Sequence, residues 1–195
     1  MLSGIRYWHD GDIAAAEETV DAAAAIFREL GEDFWVANTD WYRGIFASAR
    51  GRFDEAARRY RAALHGGVEH AVTLLQWKAL VGLAATAVEG DRAEDAARLF
   101  GAAEASRERT GHELFPADRP AHRRASSGAL AALGEHGFTF AREAGRNLTL
   151  PEILAVADGV VAAAIVAAPA GAGPGGVEAA EPGDADADAP RAHRG

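Results

Sequence analysis

Leu80 to Gly111 reads LVGLAATAVEGDRAEDAARLFGAAEASRERTG. Its spacing predicts two antiparallel helices joined at Glu89 to Arg92, with alanine wherever the helices would touch. Displaced by 40 residues, and by 40 again, the stretch meets its own residue types. Ala96 falls on Ala56 and Ala16, and Ala103 on Ala63 and Ala23. The large Phe100 falls on Tyr60 and Val20, and the small Ala84 on Gly44 and Gly4. A fixed period in this range is the signature of a helical solenoid, in which each helical pair buries its apolar face only against its neighbours. The predicted fold is therefore an all-α solenoid of helical hairpins.

Composition agrees. The chain has 195 residues, room for one domain and a tail, and 49% of them are hydrophobic. Alanine, the strongest helix former, supplies much of that share. The absence of cysteine excludes disulfides, thiolate metal sites and thiol nucleophiles. The start, MLSGIRYWHDGD, has no basic stretch followed by an apolar one, so no signal peptide is expected and the expected location is the cytoplasm. The longest mostly apolar run, Val156 to Ala170, carries Asp158 and falls short of the roughly 20 apolar residues that span a bilayer, so no membrane contact is expected. The formal charge of −9 argues against direct nucleic-acid binding, which rests on cations neutralising phosphates. Five acids and two arginines in Gly171 to Gly195 carry part of that charge and leave −6 for the rest.

Three regions follow: repeats over 1–111, a closing helical segment over 112–168, and an acidic Ala/Gly/Pro tail over 169–195 that has nothing to bury and is expected to be disordered. The first repeat lacks part of its first helix. Leu2, Ile5, Tyr7 and Trp8 therefore form an edge that expects an upstream neighbour, and self-association or docking could supply it. Asp12 is placed to cap a helix to Leu30, whose buried face is Ile13, Ala16, Val20, Ala23, Phe27 and Leu30. A second helix spans about Glu32 to Arg50. A third runs from Phe53 to about Leu64 and is stopped by His65-Gly66-Gly67. A fourth spans Glu69 to Glu89, followed by a loop one residue longer than those at Gly11 and Gly51. Glu94 to Thr110 completes the third pair. Asp118 then caps a helix with Pro120 in its first turn, ending at Gly134. A short helix follows over about His136 to Glu143, and the last runs from Thr149 to about Val166.

The repeat positions resemble those of the tetratricopeptide repeat: glycine or alanine on the first helix (Gly4, Gly44, Ala84), alanine one turn into the second (Ala16, Ala56, Ala96), then a large residue (Val20, Tyr60, Phe100), then alanine again (Ala23, Ala63, Ala103). That likeness implies a right-handed α-α solenoid of tetratricopeptide-like hairpins. The usual tryptophan position is held here by Asp40 and Leu80. A narrower likeness covers Leu80 to about Ala157. The AARLFGAAEA run, the proline-flanked turn, Gly134-Glu135-His136-Gly137-Phe138 and the Gly145-Arg146-Asn147-Leu148-Thr149-Leu150-Pro151-Glu152 ending resemble the C-terminal repeat region of bacterial LuxR-type and AfsR-like (STAND) ATPase transcriptional regulators. In that family the repeats dock or sense a partner and control the ATPase. No glycine-rich phosphate loop occurs here, so the likeness transfers no ATP site, and the Leu148 to Leu154 stretch closes a repeat region rather than opening a DNA-binding helix.

Phe34, Trp35, Trp41, Tyr42 and Phe46 put five aromatics in thirteen residues, more than one inward stripe of a helix buries. Core packing is the simpler reading. The functional one makes Trp35, Trp41, Tyr42 and Phe46 a partner-binding surface, since tetratricopeptide arrays hold a peptide or helix on their concave side. His65, Glu69 and His70 flank a glycine turn but fall short of the three or four converging ligands of a metal site. Asp118, His122, Ser126 and Ser127 contain the residue types of a hydrolytic triad, yet neighbours on one helix cannot supply its geometry. Arg119, His122, Arg123 and Arg124 read as a solvated basic face. The expected function is a non-catalytic, cofactor-free interaction or sensor module with a protein or peptide partner, regulatory in role. The alternatives are one part of an ATP-dependent regulator whose ATPase and DNA-binding domains lie on another chain, and an enzyme using the helical cleft.

Overall fold

A left-handed backbone conformation recurs every 20 residues through the repeats: φ is 82° at Gly11, 69° at Gly31, 70° at Gly51, 55° at Ala71, 55° at Asp91 and 69° at Gly111. Between these points the computed structural model, which describes residues 11–111, 113 and 118–167, holds five helices. They are α1 (Ile13–Glu29), α2 (Asp33–Ala49), α3 (Phe53–Glu69), α4 (Thr73–Glu89) and α5 (Ala93–Thr110). The first four are each 17 residues long.

The turns between them share one hydrogen-bond pattern. Gly31 N donates to Arg28 O at 3.2 Å and Glu32 N to Phe27 O at 2.9 Å. The same two bonds recur at Gly51 and Arg52, at Ala71 and Val72, and at Asp91 and Arg92. This is the Schellman closure, which satisfies the last carbonyls of a helix through a residue with positive φ. The 40-residue repeat is thus two matched halves, each one helix and one three-residue turn.

Three sequence expectations are corrected by this regularity. First, α3 does not stop at His65-Gly66-Gly67 but continues to Glu69. Both glycines are packing positions: a Cβ at Gly66 would stand 2.2 Å from Ala37 Cβ of α2, and one at Gly67 would stand 2.9 Å from the Gln76 amide of α4. Second, α4 begins at Thr73 rather than Glu69. Third, the turn after α4 is no longer than the others, because Gly90 is the cap and Asp91 takes the left-handed position.

Alanine at the helix contacts does what the repeat register requires. Ala16, Ala56, Ala96, Ala63 and Ala103 are fully buried, and Val20, Tyr60 and Phe100 lie beside them at 1 to 2% exposure. Gly44 and Ala84 are also buried. The Tyr60 ring of α3 lies between α2 and α4, where a Cβ at Gly44 or at Gly82 would stand 2.6 Å from it. In α1 the inward set shifts: Ala24 is buried, Ala23 is half-buried, and Leu30, beyond the last turn, is exposed. Asp12 caps α1, accepting from Ala15 N at 3.0 Å. Gly4, Leu2, Ile5, Tyr7 and Trp8, the Phe115 to Ala117 turn and the 169–195 tail lie outside the described residues.

Two further helices close the array: α6 (Arg119–Arg146), kinked at Gly134 (φ 69°, ψ 170°), and α7 (Leu150–Ala167). The kink falls at the expected glycine, but the second limb runs to Arg146, past the expected Glu143. From α1 to α6 consecutive helices pack in order, α6 lies on α4 as well as α5, and α7 returns across α3, α4 and α5. Ala157 and Val160 face the core, Arg61 of α3 reaches Asp158 at 2.6 Å, and Arg92 Nη1 donates to Gly159 O at 2.9 Å. Glu152 reaches back over the start of α7, its Oε2 accepting from Thr149 N at 2.7 Å and from Thr149 Oγ1 at 2.6 Å, the carboxylate half of a capping box. One hydrophobic core runs from Ala37 to Val160, and Ala16, Val20 and Phe46 form a smaller one beneath α1. Fully buried Trp77, Leu83 and Leu99 anchor the larger core, each contributing roughly 1.5 to 3 kcal/mol. No described helix is long and apolar enough to cross a membrane.

Candidate functional site

The four aromatic candidates separate into core and surface. Phe46, at 1% exposure, packs under α1 with Ala16 and Val20, and Trp41, at 4%, belongs to the main core, so neither offers a surface to a partner. Tyr42 is half-buried and meets the Trp41 ring edge-on at 4.7 Å. Trp35 is the one left open, at 40% exposure. It stacks on Phe27 of α1 at 5.8 Å and leans on Phe34 at 4.9 Å. Ile26 and Leu30, 55% and 68% exposed, continue the apolar surface along the end of α1. The resulting edge is centred on the α1–α2 turn.

A second feature is buried and polar. Lys78 Nζ of α4 lies 3.7 Å from Asp118 Oδ1, and the two side chains are 17% and 4% exposed. The same ammonium sits 4.2 Å above the Trp41 ring, a cation–π contact. Asp118 occupies the position before α6, but its side chain makes no capping bond there and turns to Lys78 instead, which corrects its expected role. Burial pushes the Asp118 carboxyl above its ordinary range, while the Lys78 charge pulls it back. Burial also raises the Tyr42 phenol, with the Asp118 charge adding to it. Beside the pair is a cavity of about 20 Å³, lined among the described residues by Trp41, Tyr60, Trp77, Gly82 and others of α2, α3, α4 and α6. Among the described residues neither Trp77 Nε1 nor Asp118 Oδ2 has a hydrogen-bond partner.

Sequence reasoning missed Lys78, although a signal was present: it is the only lysine among 20 lysines and arginines. A flexible, compact ammonium suits a confined site beside an aromatic face where a planar guanidinium would not turn.

The remaining candidates disperse. Ser126 Oγ donates to His122 O at 3.0 Å and Ser127 Oγ to Arg123 O at 2.6 Å, so both hydroxyls serve their own helix. His122 is half-buried against the Phe100 ring at 4.8 Å, and burial holds its pKa below the ordinary value, against the Glu104 charge. His65 faces Glu69 at 3.9 Å on the surface, while His70 turns edge-on to Phe34 at 6.3 Å. Arg124 reaches Glu89 at 3.4 Å, and Arg119 and Arg123 are exposed. No group of three or more histidine, aspartate or glutamate side chains among the described residues is placed to hold a metal ion.

The architecture is that of an all-α helical-repeat protein. No protein family, curated protein or solved structure matches the chain.

Proposed function

We propose that the chain is a non-catalytic helical-repeat interaction module, regulatory in role, that receives an amphipathic helix of a protein partner along α1. The observation that carries this reading is the exposure of Ile26. One repeat of 40 residues further on, Ile26 becomes Gly66. Gly66 is buried because α2, the antiparallel helix before it, sets Ala37 against it, 2.2 Å from where its Cβ would be. By the same register, a helix lying antiparallel to α1 covers Ile26. In the described residues Ile26 remains 55% exposed and Leu30 68%. The Trp35–Phe27 stack extends this face, and tryptophan is among the residues in which binding hot spots are enriched. The occupant this register fits is a helix with a small residue opposite Ile26 and apolar neighbours along one stripe, the helix-in-groove mode of recognition. The resemblance of Leu80 to Ala157 to the repeat regions of LuxR-type and AfsR-like regulators supports the regulatory role.

Affinity capture on the immobilised chain tests this reading, with Ile26→Asp as the comparison. The expected result is a polypeptide retained by the native chain and lost from the variant, with thermal melting unchanged because Ile26 is exposed. Equal retention by both chains, or no retained polypeptide, overturns the reading.

A further inference from the structure

We propose that the cavity beside Lys78 is the site of one internal water, which accepts a hydrogen bond from Trp77 Nε1–H and donates one to Asp118 Oδ2. Three observations meet there. The two side chains belong to residues only 0% and 5% exposed, and both line the same cavity. Each has one polar atom without a partner among the described residues, Nε1 on the tryptophan and Oδ2 on the aspartate. The cavity measures about 20 Å³, and one water needs roughly 10 to 15 Å³ of accessible space, with at least two polar partners.

The polarity of the two atoms selects the ligand. An indole N–H only donates, and an ionised carboxylate oxygen only accepts. A cation serves the carboxylate but leaves the indole unpaired, and an anion does the reverse. One oxygen that both accepts and donates serves both, and at this size that is water. Lys78 already holds the other carboxylate oxygen, Oδ1, at 3.7 Å. The water completes a polar link from α4, through Lys78 and Trp77, to Asp118 at the start of α6. It therefore helps fix the closing segment on the repeats, a role separate from the α1 edge. The Trp41 and Tyr60 rings around it restrict exchange with solvent.

The test is water–protein NMR on the full ¹⁵N-labelled chain, with the Trp77 indole resonance assigned by its loss in Trp77→Phe. The expected result is a cross-peak between Trp77 Nε1–H and water, of opposite sign in laboratory-frame and rotating-frame experiments, as for a long-held water. It disappears in Asp118→Leu, which removes the acceptor and fills the space. A Trp77 indole signal with no water cross-peak in the native chain overturns the proposal without recourse to any variant. So does a cross-peak that persists unchanged in Asp118→Leu.

Discussion

Gly101 of α5 and Gly145 of α6 close one helix crossing from both sides. A Cβ at Gly101 would stand 2.0 Å from Arg142 O, and a Cβ at Gly145 would stand 2.0 Å from Arg98 O. Backbone meets backbone at both points, so no side-chain rotation relieves a clash. Helix propensity alone favours alanine over glycine by about 1 kcal/mol. The crossing reverses that sign. Gly101→Ala and Gly145→Ala are each expected to lose about 1 to 3 kcal/mol, as overpacked contacts do. Urea unfolding measures it, and a gain in either variant would show that the helices are further apart.

The turn at Ala71 gives the opposite expectation. Its φ of 55° is a conformation that costs a residue with a Cβ roughly 1 to 2 kcal/mol. Glycine relieves that strain but loses part of the gain to the extra freedom of its unfolded chain, about 0.4 to 1 kcal/mol. Ala71→Gly should therefore stabilise by up to about 1 kcal/mol, and Gly31→Ala should destabilise by a similar amount. Denaturant midpoints of the two variants, moving in opposite directions, are the check.

Tyr60 makes the fold sensitive to alkali. Burial pushes its phenol from 10.0 up to about 12, against smaller opposing effects of Ser48 and Arg124. A raised folded-state pKa means stability that is complete below pH 10 and lost as pH climbs through about 12. That rise corresponds to about 2 to 3 kcal/mol. Among the described residues the phenol oxygen has only a long contact to Ser48 Oγ, 3.4 Å. Tyr60→Phe should accordingly change stability little at pH 8 and reduce the loss between pH 10 and 12, read as melting temperature against pH. A parallel decline in both chains would mean that Tyr60 ionises freely.

Lys78→Met removes the cation beside a carboxylate side chain that is 4% exposed. Breaking one side of a buried pair costs about 3 to 5 kcal/mol. Because the Lys78 side chain is 17% exposed, solvent screening reduces the expected loss to about 2 to 3 kcal/mol. The Asp118 pKa, already raised by burial, rises further without Lys78. A group with a raised folded-state pKa regains stability as pH falls through it, so the deficit should be greatest near neutral pH and shrink in acid. Stability of native and variant chains across the acid range measures that difference, and a deficit independent of pH would contradict the pairing.

The helical solenoid was legible in the sequence because its contacts demand small residues at fixed intervals, as at Ala16, Ala56 and Ala96. The finer half-repeat was hidden. Glycine marks the left-handed turn at 11, 31, 51 and 111, but alanine and aspartate hold it at 71 and 91. The Gly66-Gly67 pair, placed just before one of these disguised turns, imitated a helix stop while serving close packing. Phe46 and Trp41 could not be told from surface aromatics, because α2 is contacted from more than one side, by α1, α3 and α4. Asp118 looked like a helix cap, and its true partner lies 40 residues earlier in the chain. No local pattern joins the two.

Hydrogen exchange of α1 in complex with the captured polypeptide tests the central claim most directly. If a partner helix lies along α1, the amides of its second half, around Ile26 to Leu30, and those beside Trp35 should exchange more slowly than in the free chain, while α6 and α7 stay unchanged. Protection confined to α6 and α7, with α1 exchanging as before, would contradict the account.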